Sequence, residues 1–263
     1  MSHHPSAPAI GRHWLTRLRP LELAEFLKWV LRIRRQVIEV DGLRVWVDPA
    51  SNVGSRLLAE GCYEAPLSEC VTRLLQPGDT FCDVGANEGW FSILASKSVG
   101  PAGRVIAIEP QARLWPVILE NTSLNRAANV TLQPFATAAQ EGEAEIRLYP
   151  SVNTGASSLG GAKRRCETMQ RVSVLTLARL IEGAGLARID LMKIDVEGFE
   201  LEALRGAGDH LGTTIRRIVV EIHDAQLAAR GESVDQVKAL LTGRGYRTRT
   251  VAGVEVWELD SAA

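Results

Sequence analysis

No stretch of the 263 residues approaches the roughly 18 uninterrupted apolar side chains that a membrane-spanning helix needs. The first residues also lack the apolar core of a secretory signal. Cysteine is scarce. Cys62, Cys70, Cys82 and Cys166 form no Cys-x-x-Cys pair, which argues against a zinc site or a disulfide framework, and the expected compartment is a reducing cytoplasm. A net charge of −1 removes global electrostatics as a reason to expect a nucleic-acid partner. There is no internal repeat. What is present is 46% apolar residues, enough for a substantial core in one large or two small domains.

The most informative stretch is Phe81-Cys82-Asp83-Val84-Gly85-Ala86-Asn87-Glu88-Gly89-Trp90. An apolar strand runs into a glycine-containing turn, and a helix pattern opens after it. The turn reads Asp-x-Gly-x-x-x-Gly, whereas the dinucleotide fingerprint is Gly-x-Gly-x-x-Gly, so a nicotinamide-dependent oxidoreductase is disfavoured. A carboxylate at the strand end repels a pyrophosphate but suits a ligand with a cationic amino group and hydroxyls, of which S-adenosylmethionine is an example. Downstream, Arg104–Ile108 reads as a buried strand ending in Glu109-Pro110, 24 positions past Gly85. An acid about 20 positions beyond such a turn hydrogen-bonds ribose hydroxyls in doubly wound folds, which makes Glu109 the expected ribose clamp.

From about Gly78 onward strand-length apolar runs at 80–84, 104–108, 130–135, 189–194 and 216–222 alternate with helical patterns at 90–99, 111–125, 200–211 and 233–244. That alternation predicts a mostly parallel, doubly wound α/β sheet. Ala144–Tyr149 and Arg171–Leu175 predict an inserted antiparallel hairpin or edge pair flanking the polar loop Ser151–Gly161, and Arg247–Leu259 predicts a closing hairpin around Gly253.

Residues 1–60 read as an N-terminal cap and 61–263 as the main domain. Val37–Val47, with Asp41-Gly42 at its centre, is a hairpin candidate. Leu23, Phe26, Leu27, Val30 and Ile33 follow helical spacing, and residues 11–35 carry seven Arg or Lys against two Glu. Two readings stay open: a helix packed on the domain with its arginines in water, or a basic amphipathic segment lying on an acidic membrane surface or an acidic partner.

Several pieces together resemble the FkbM-type S-adenosylmethionine-dependent methyltransferases. They are Gly61-Cys62-Tyr63-Glu64, Gln76-Pro77-Gly78-Asp79, Asp83–Gly89, Ile108-Glu109-Pro110, Glu120-Asn121 through Leu124-Asn125, Lys193-Ile194-Asp195-Val196-Glu197-Gly198-Phe199-Glu200 with Leu204–Ala207, and Val219–His223. The resemblance covers roughly residues 60 to 224, with one departure at Ala178, where the family usually carries an acid. It implies a Rossmann-like class I fold with S-adenosylmethionine as cofactor. It also implies methyl transfer to a hydroxyl of a small molecule, a glycan, a natural-product intermediate or a carrier-bound substrate. The alternative is a non-catalytic protein of the same fold that binds the cofactor or a partner.

The expected cofactor residues are Asp83, Gly85, Asn87, Gly89, Glu109, Pro110 and Ala136, with Tyr63 and Glu64 as a lid or as simple packing. Ligands of open α/β sheets bind beyond the carboxyl ends of the strands. Asp195, Glu197 and His223, at two such ends, are the expected catalytic residues, with His223 the candidate general base. Glu221 is placed to orient His223, and Lys193 reads as an ion-pair partner. Glu197 also reads as a cap of the following helix. Three acids and one histidine at these strand ends could form an oxygen-rich Mg²⁺ site, but no tight ligand motif is present, so no metal is expected, and the oligomeric state is left open.

Overall fold

The computed structural model describes residues 21–149, 158–159 and 168–260. Helix α1 (Leu21–Val30) leads into a hairpin of β1 (Gln36–Val40) and β2 (Leu43–Val47). Asp41 and Gly42 both take positive φ, 51° and 69°, the backbone of a two-residue hairpin turn. Two helices follow that the sequence reading left unassigned. α2 (Asn52–Glu60) begins where the Ser51 side chain accepts from the Gly54 amide and ends at Gly61, with φ 68°. α3 (Ala65–Leu74) carries Pro66 in its first turn, where no amide donor is lost.

The main sheet has seven strands in the order β12-β13-β11-β10-β3-β4-β5. They are β3 (Thr80–Val84), β4 (Arg104–Ile108), β5 (Val130–Gln133), β10 (Leu191–Ile194), β11 (Arg217–Val220), β12 (Tyr246–Val251) and β13 (Val254–Leu259). All pairings are parallel except those of β13, which is antiparallel to both its neighbours. β12 and β13 close around Ala252-Gly253, and the expected terminal hairpin is present.

Strand parity divides the core. Phe81, Val105, Leu191, Val219 and Val256 pack with α2, α3 and α4 (Trp90–Val99) on one face. Cys82, Val84, Ile106, Met192, Ile194, Ile218 and Trp257 face the other side. That face is covered by α6 (Leu177–Gly183), α7 (Glu200–Arg205), α8 (Asp224–Ala229) and α9 (Val234–Gly243). α5 (Trp115–Leu124) adds Ile118 against Ala86 and Ala107. The hairpin and α2 share the first of these cores, since Val45, Val47, Val53 and Leu57 lie in one cluster with Phe81 and Phe91.

A second sheet, ordered β6-β9-β7-β8, comprises β6 (Ala136–Thr137), β9 (Thr168–Leu175), β7 (Gly142–Leu148) and β8 (Ser158–Leu159). The expected antiparallel pair is its centre, running from Gly142 opposite Val174 to Leu148 opposite Thr168. The sequence did not show that β6 joins it in parallel, a connection between distant segments. Most of the loop Ser151–Gly161, including Ser157, falls outside the described residues, while Ser158 pairs opposite Arg147 in β8. Ala178, the departure from the family pattern, lies on α6 just past its cap. Its amide donates to Gly206 O, and Thr176 supplies the cap by accepting from the Arg179 amide.

Candidate active site

The turn after β3 is held by its own strands. The amides of Gly85 and Ala86 both donate to Ile108 O, and the Asp195 amide donates to Val84 O. A Cβ on Gly85 would sit 1.9 Å from Asp195 O, and Gly85 has φ +83°, so glycine is required twice over. Asn87 and Glu197 also take positive φ, 50° each, in the turns leaving β3 and β10. Such backbone strain in non-glycine residues gathers at sites that the surrounding structure over-determines.

Parity decides the fate of Asp83. It shares a face with Phe81, turned toward α4 and away from the ligand side of the strand ends. Its Oδ2 accepts from Ser92 Oγ at 2.7 Å, and its Oδ1 lies 3.4 Å from Lys193 Nζ, with both side chains buried. Asp83 therefore anchors the turn through Ser92 and Lys193, and it is not among the side chains that line the cleft above the turn. Gly89 is likewise set away from the cleft, starting α4 at φ 82° beside Ile118.

Lys193 is the ion-pair residue the sequence suggested. Its Nζ lies 3.5 Å from Asp195 Oδ2, donates to Gly85 O at 3.2 Å and sits over the Phe91 ring. Burial opposes its charge, but Asp83 and Asp195 outweigh that and keep it protonated.

Above the turn a cleft of about 600 Å³, counted to its open mouth, is lined by Gly85, Asn87, Glu109, Pro110, Ala136, Asp195 and Glu197. Ile108, Phe135, Ile146, Val196 and Phe199 supply its apolar walls. Glu109 sits at the end of β4, 3% exposed, with Oε2 accepting from the Asn87 amide at 2.8 Å and Oε1 from the Gln111 amide at 2.9 Å. Burial pushes its carboxyl up to about 7 in spite of those two donors. The fit to S-adenosylmethionine rests on this donor set. The Glu109 carboxylate keeps acceptor capacity of the kind ribose hydroxyls would use, the apolar walls form a slot that would suit an adenine, and the buried Thr137 hydroxyl faces the cleft without a partner.

The catalytic candidates converge at the ends of β10 and β11. His223 Nδ1 donates to the fully buried Glu200 at 2.8 Å. Its Nε2 faces Glu197 at 3.7 Å, Glu221 at 3.8 Å and Asp195 at 3.9 Å. Burial works against a charged ring, but the Glu200 hydrogen bond and the Glu197 and Asp195 carboxylates lift its pKa to about 9. The neutral-pH form is thus an imidazolium, which has no free nitrogen to accept a proton. Burial raises the Glu197 carboxyl, His223 lowers it and Asp195 and Glu221 raise it, for a net value of about 7. Ligand atoms of Asp195, Glu197 and His223 lie within 4.8 Å of one another, a grouping whose donors could hold a divalent cation.

Tyr63 and Glu64 are not in the cofactor cleft. Tyr63 is buried beside Phe91, its phenol held protonated by burial. Glu64, with φ 45°, lines an adjoining cleft with Arg56, Leu67, Lys193 and Glu221.

Several residues escaped the sequence reading. Trp115 Nε1 donates to Glu109 O, while Gln170 bridges from β9, its Nε2 donating to Pro110 O and its Oε1 accepting from the Ala112 amide. Arg35 Nη1 reaches the buried Glu88 at 2.8 Å, and Asn121, at the centre of α5, donates to Glu88 O while accepting from the Trp46 amide. These links tie the hairpin and the second sheet to the cofactor turn. Asn121 and Asn125, at i and i+4 on α5, are the pair the sequence suggests as a brace for the loop carrying Glu109; they hold Trp46, Arg44 and Glu88 instead.

A family model for the methyltransferase FkbM domain matches residues 83–248, from the acid under the turn to the first closing strand. The chain belongs to the FkbM methyltransferase family. It is a methyltransferase that uses S-adenosylmethionine, and its strand order with an antiparallel β13 is the class I methyltransferase arrangement. It is 30% identical over 199 residues to the 31-O-demethyl-FK506 methyltransferase FkbM of Streptomyces tacrolimicus, covering 65% of this chain and 74% of that one. It is 27% identical over 243 residues to the methyltransferase sdnD of Sordaria araneosa, covering 80% and 88%. A hexuronic acid methyltransferase, AglP of Haloferax volcanii, is 28% identical over 157 residues, covering 58% of this chain and 61% of that relative. Among the described residues of this FkbM-family chain, no helix is long and apolar enough to cross a membrane.

Proposed function

We propose that the protein methylates a hydroxyl oxygen of a neutral, oxygen-rich small molecule such as a sugar or a natural-product intermediate, free or carrier-bound. The carrying observation is the ring of carboxylates around His223, with Glu197 raised to about 7. A hydroxyl is a poor nucleophile and gains from a base whose pKa lies near the working pH. Bound S-adenosylmethionine supplies an electrophilic methyl group on a sulfonium.

The chain's own residues do the rest. Glu109 holds hydroxyls of the ribose, while Gly85 and Asn87 let the backbone approach the ligand closely. Glu197 takes the proton of the acceptor hydroxyl. The His223 imidazolium, fixed by Glu200, stabilises the carboxylate that does so and orients it. Asp195 and Glu221 accept hydrogen bonds from further acceptor hydroxyls. Glu64 and Glu221 balance Arg56 and Lys193 in the lining of the adjoining cleft, which leaves no net positive charge there to select a phosphorylated or carboxylated acceptor. The name of one relative, the methyltransferase of a 31-O-demethyl compound, supports a hydroxylated acceptor class.

The test is calorimetric binding of S-adenosylmethionine to wild type and to Glu109→Ala, followed by measurement of S-adenosylhomocysteine release over a panel of neutral polyols and amines. Turnover only with amines sinks the oxygen assignment.

A further inference from the structure

Much of the apolar stripe of α1 is exposed, with no described residue packed over it. Leu23 is 42% exposed, Phe26 57%, Trp29 76% and Val30 49%. Leu31 and Val37 are exposed beside them, and the rings of Phe26 and Trp29 lean on each other with centroids 6.2 Å apart. The helix is nonetheless anchored, since Lys28 is bonded to Asp48, Ile33 is buried and Arg35 reaches Glu88. Arg32 and Arg34 are exposed and have no acidic partner among the described residues. An exposed apolar and aromatic face whose Trp29 and Val30 lie beside Arg32 and Arg34, on a helix too short to span a bilayer, has the chemistry of an interfacial helix. Arginines 12, 17 and 19, just ahead of it in sequence, extend the positive charge.

We propose that this face docks on an anionic membrane surface, with Leu23, Phe26, Trp29 and Val30 entering the headgroup boundary and Arg32 and Arg34 meeting lipid phosphates. Charge complementarity selects the partner. A second copy of this chain would bring Arg32 and Arg34 against their own equivalents, whereas an anionic leaflet satisfies both the apolar and the cationic parts. The contact lies outside the cleft, so it is independent of the methyl-transfer chemistry.

The experiment is co-sedimentation of the full chain with phosphatidylcholine vesicles, with and without phosphatidylglycerol. Variants Arg32→Glu, Arg34→Glu and the double variant Phe26→Ala/Trp29→Ala accompany it, each checked for unchanged thermal midpoint. Expected is binding to the anionic vesicles alone, weakened by salt. Reversal of each arginine's charge should cut the partition coefficient by at least about fivefold, the effect of one lost charge, and loss of the two rings should cut it further. Equal sedimentation with neutral vesicles, no sedimentation by folded wild type, or wild-type binding by Phe26→Ala/Trp29→Ala each overturns the proposal. So does a dimer in sedimentation equilibrium that Trp29→Ala dissolves, which assigns the face to a second copy.

Discussion

At the scale of single residues, Glu109 and Glu197 share a raised pKa but carry different expectations. Glu109→Ala should weaken S-adenosylmethionine binding by about 1.5–3 kcal/mol, on the order of 10- to 100-fold in Kd, the value of hydrogen bonds to a charged group. Because burial lifts Glu109 to about 7, affinity should tighten as pH rises through that value and the carboxylate forms, a trend calorimetry at several pH values would reveal. An affinity flat across neutrality would remove Glu109 from the ribose contact. Glu197→Gln should leave cofactor affinity within a few-fold and lower kcat by about 10²–10⁴, with loss of the limb near pH 7 from the kcat profile. The role of Glu109 was legible in sequence because the spacing from the turn is a local property of one strand-turn-helix-strand unit. The charge state of His223 was not, because Glu200 is 23 positions away and meets it only when β10 and β11 lie side by side.

Among the elements, the turns leaving β3 and β10 act as one unit, fastened where Gly85 presses on Asp195 O. Gly85→Ala should cost about 2–5 kcal/mol, the sum of an overpacked contact and a left-handed alanine, and calorimetric unfolding would show the drop in Tm. A stable Gly85→Ala protein that still binds cofactor would mean that the two turns move apart at little cost. The second sheet has a milder influence. Gln170→Ala deletes two hydrogen bonds to the loop after Glu109, so cofactor affinity should fall a few-fold while Tm changes little. An affinity equal to wild type would free that loop from β9. The hairpins were legible from Asp41-Gly42 and from the alternation around Gly253, since turn chemistry is short-ranged. β6 was not, since two residues become a strand only through a partner more than thirty positions away.

For the whole molecule, the buried charges predict a stability that falls with rising pH. The carboxyls of Glu109 and Glu197 sit above their ordinary value of 4.5, so the folded state keeps protons that the unfolded chain gives up, and stability declines from about 4.5 toward 7. His223, raised from 6.5 to about 9, contributes stability that is complete below 6.5 and lost as pH climbs through 9. Tm measured without cofactor should therefore fall across this window, and a rising Tm would contradict the assignment. The Asp83–Lys193 pair is the whole-molecule counterpart in charge. Lys193→Met would leave Asp83 buried and unpaired, at about 3–5 kcal/mol, readable by chemical denaturation.

The sequence by itself determined the alternation of strands and helices in the main sheet, the acid at the end of β4, the first and last hairpins and the family, because each is written in contiguous periodicity or in a short motif. The amphipathic stripe of α1 was visible there too, but not what it faces. Tertiary structure decided that Asp83 points beneath the turn, that four carboxylates encircle one imidazolium, and that much of the stripe of α1 remains exposed. Those outcomes depend on sheet parity and on contacts between segments far apart in the chain, which no local pattern encodes.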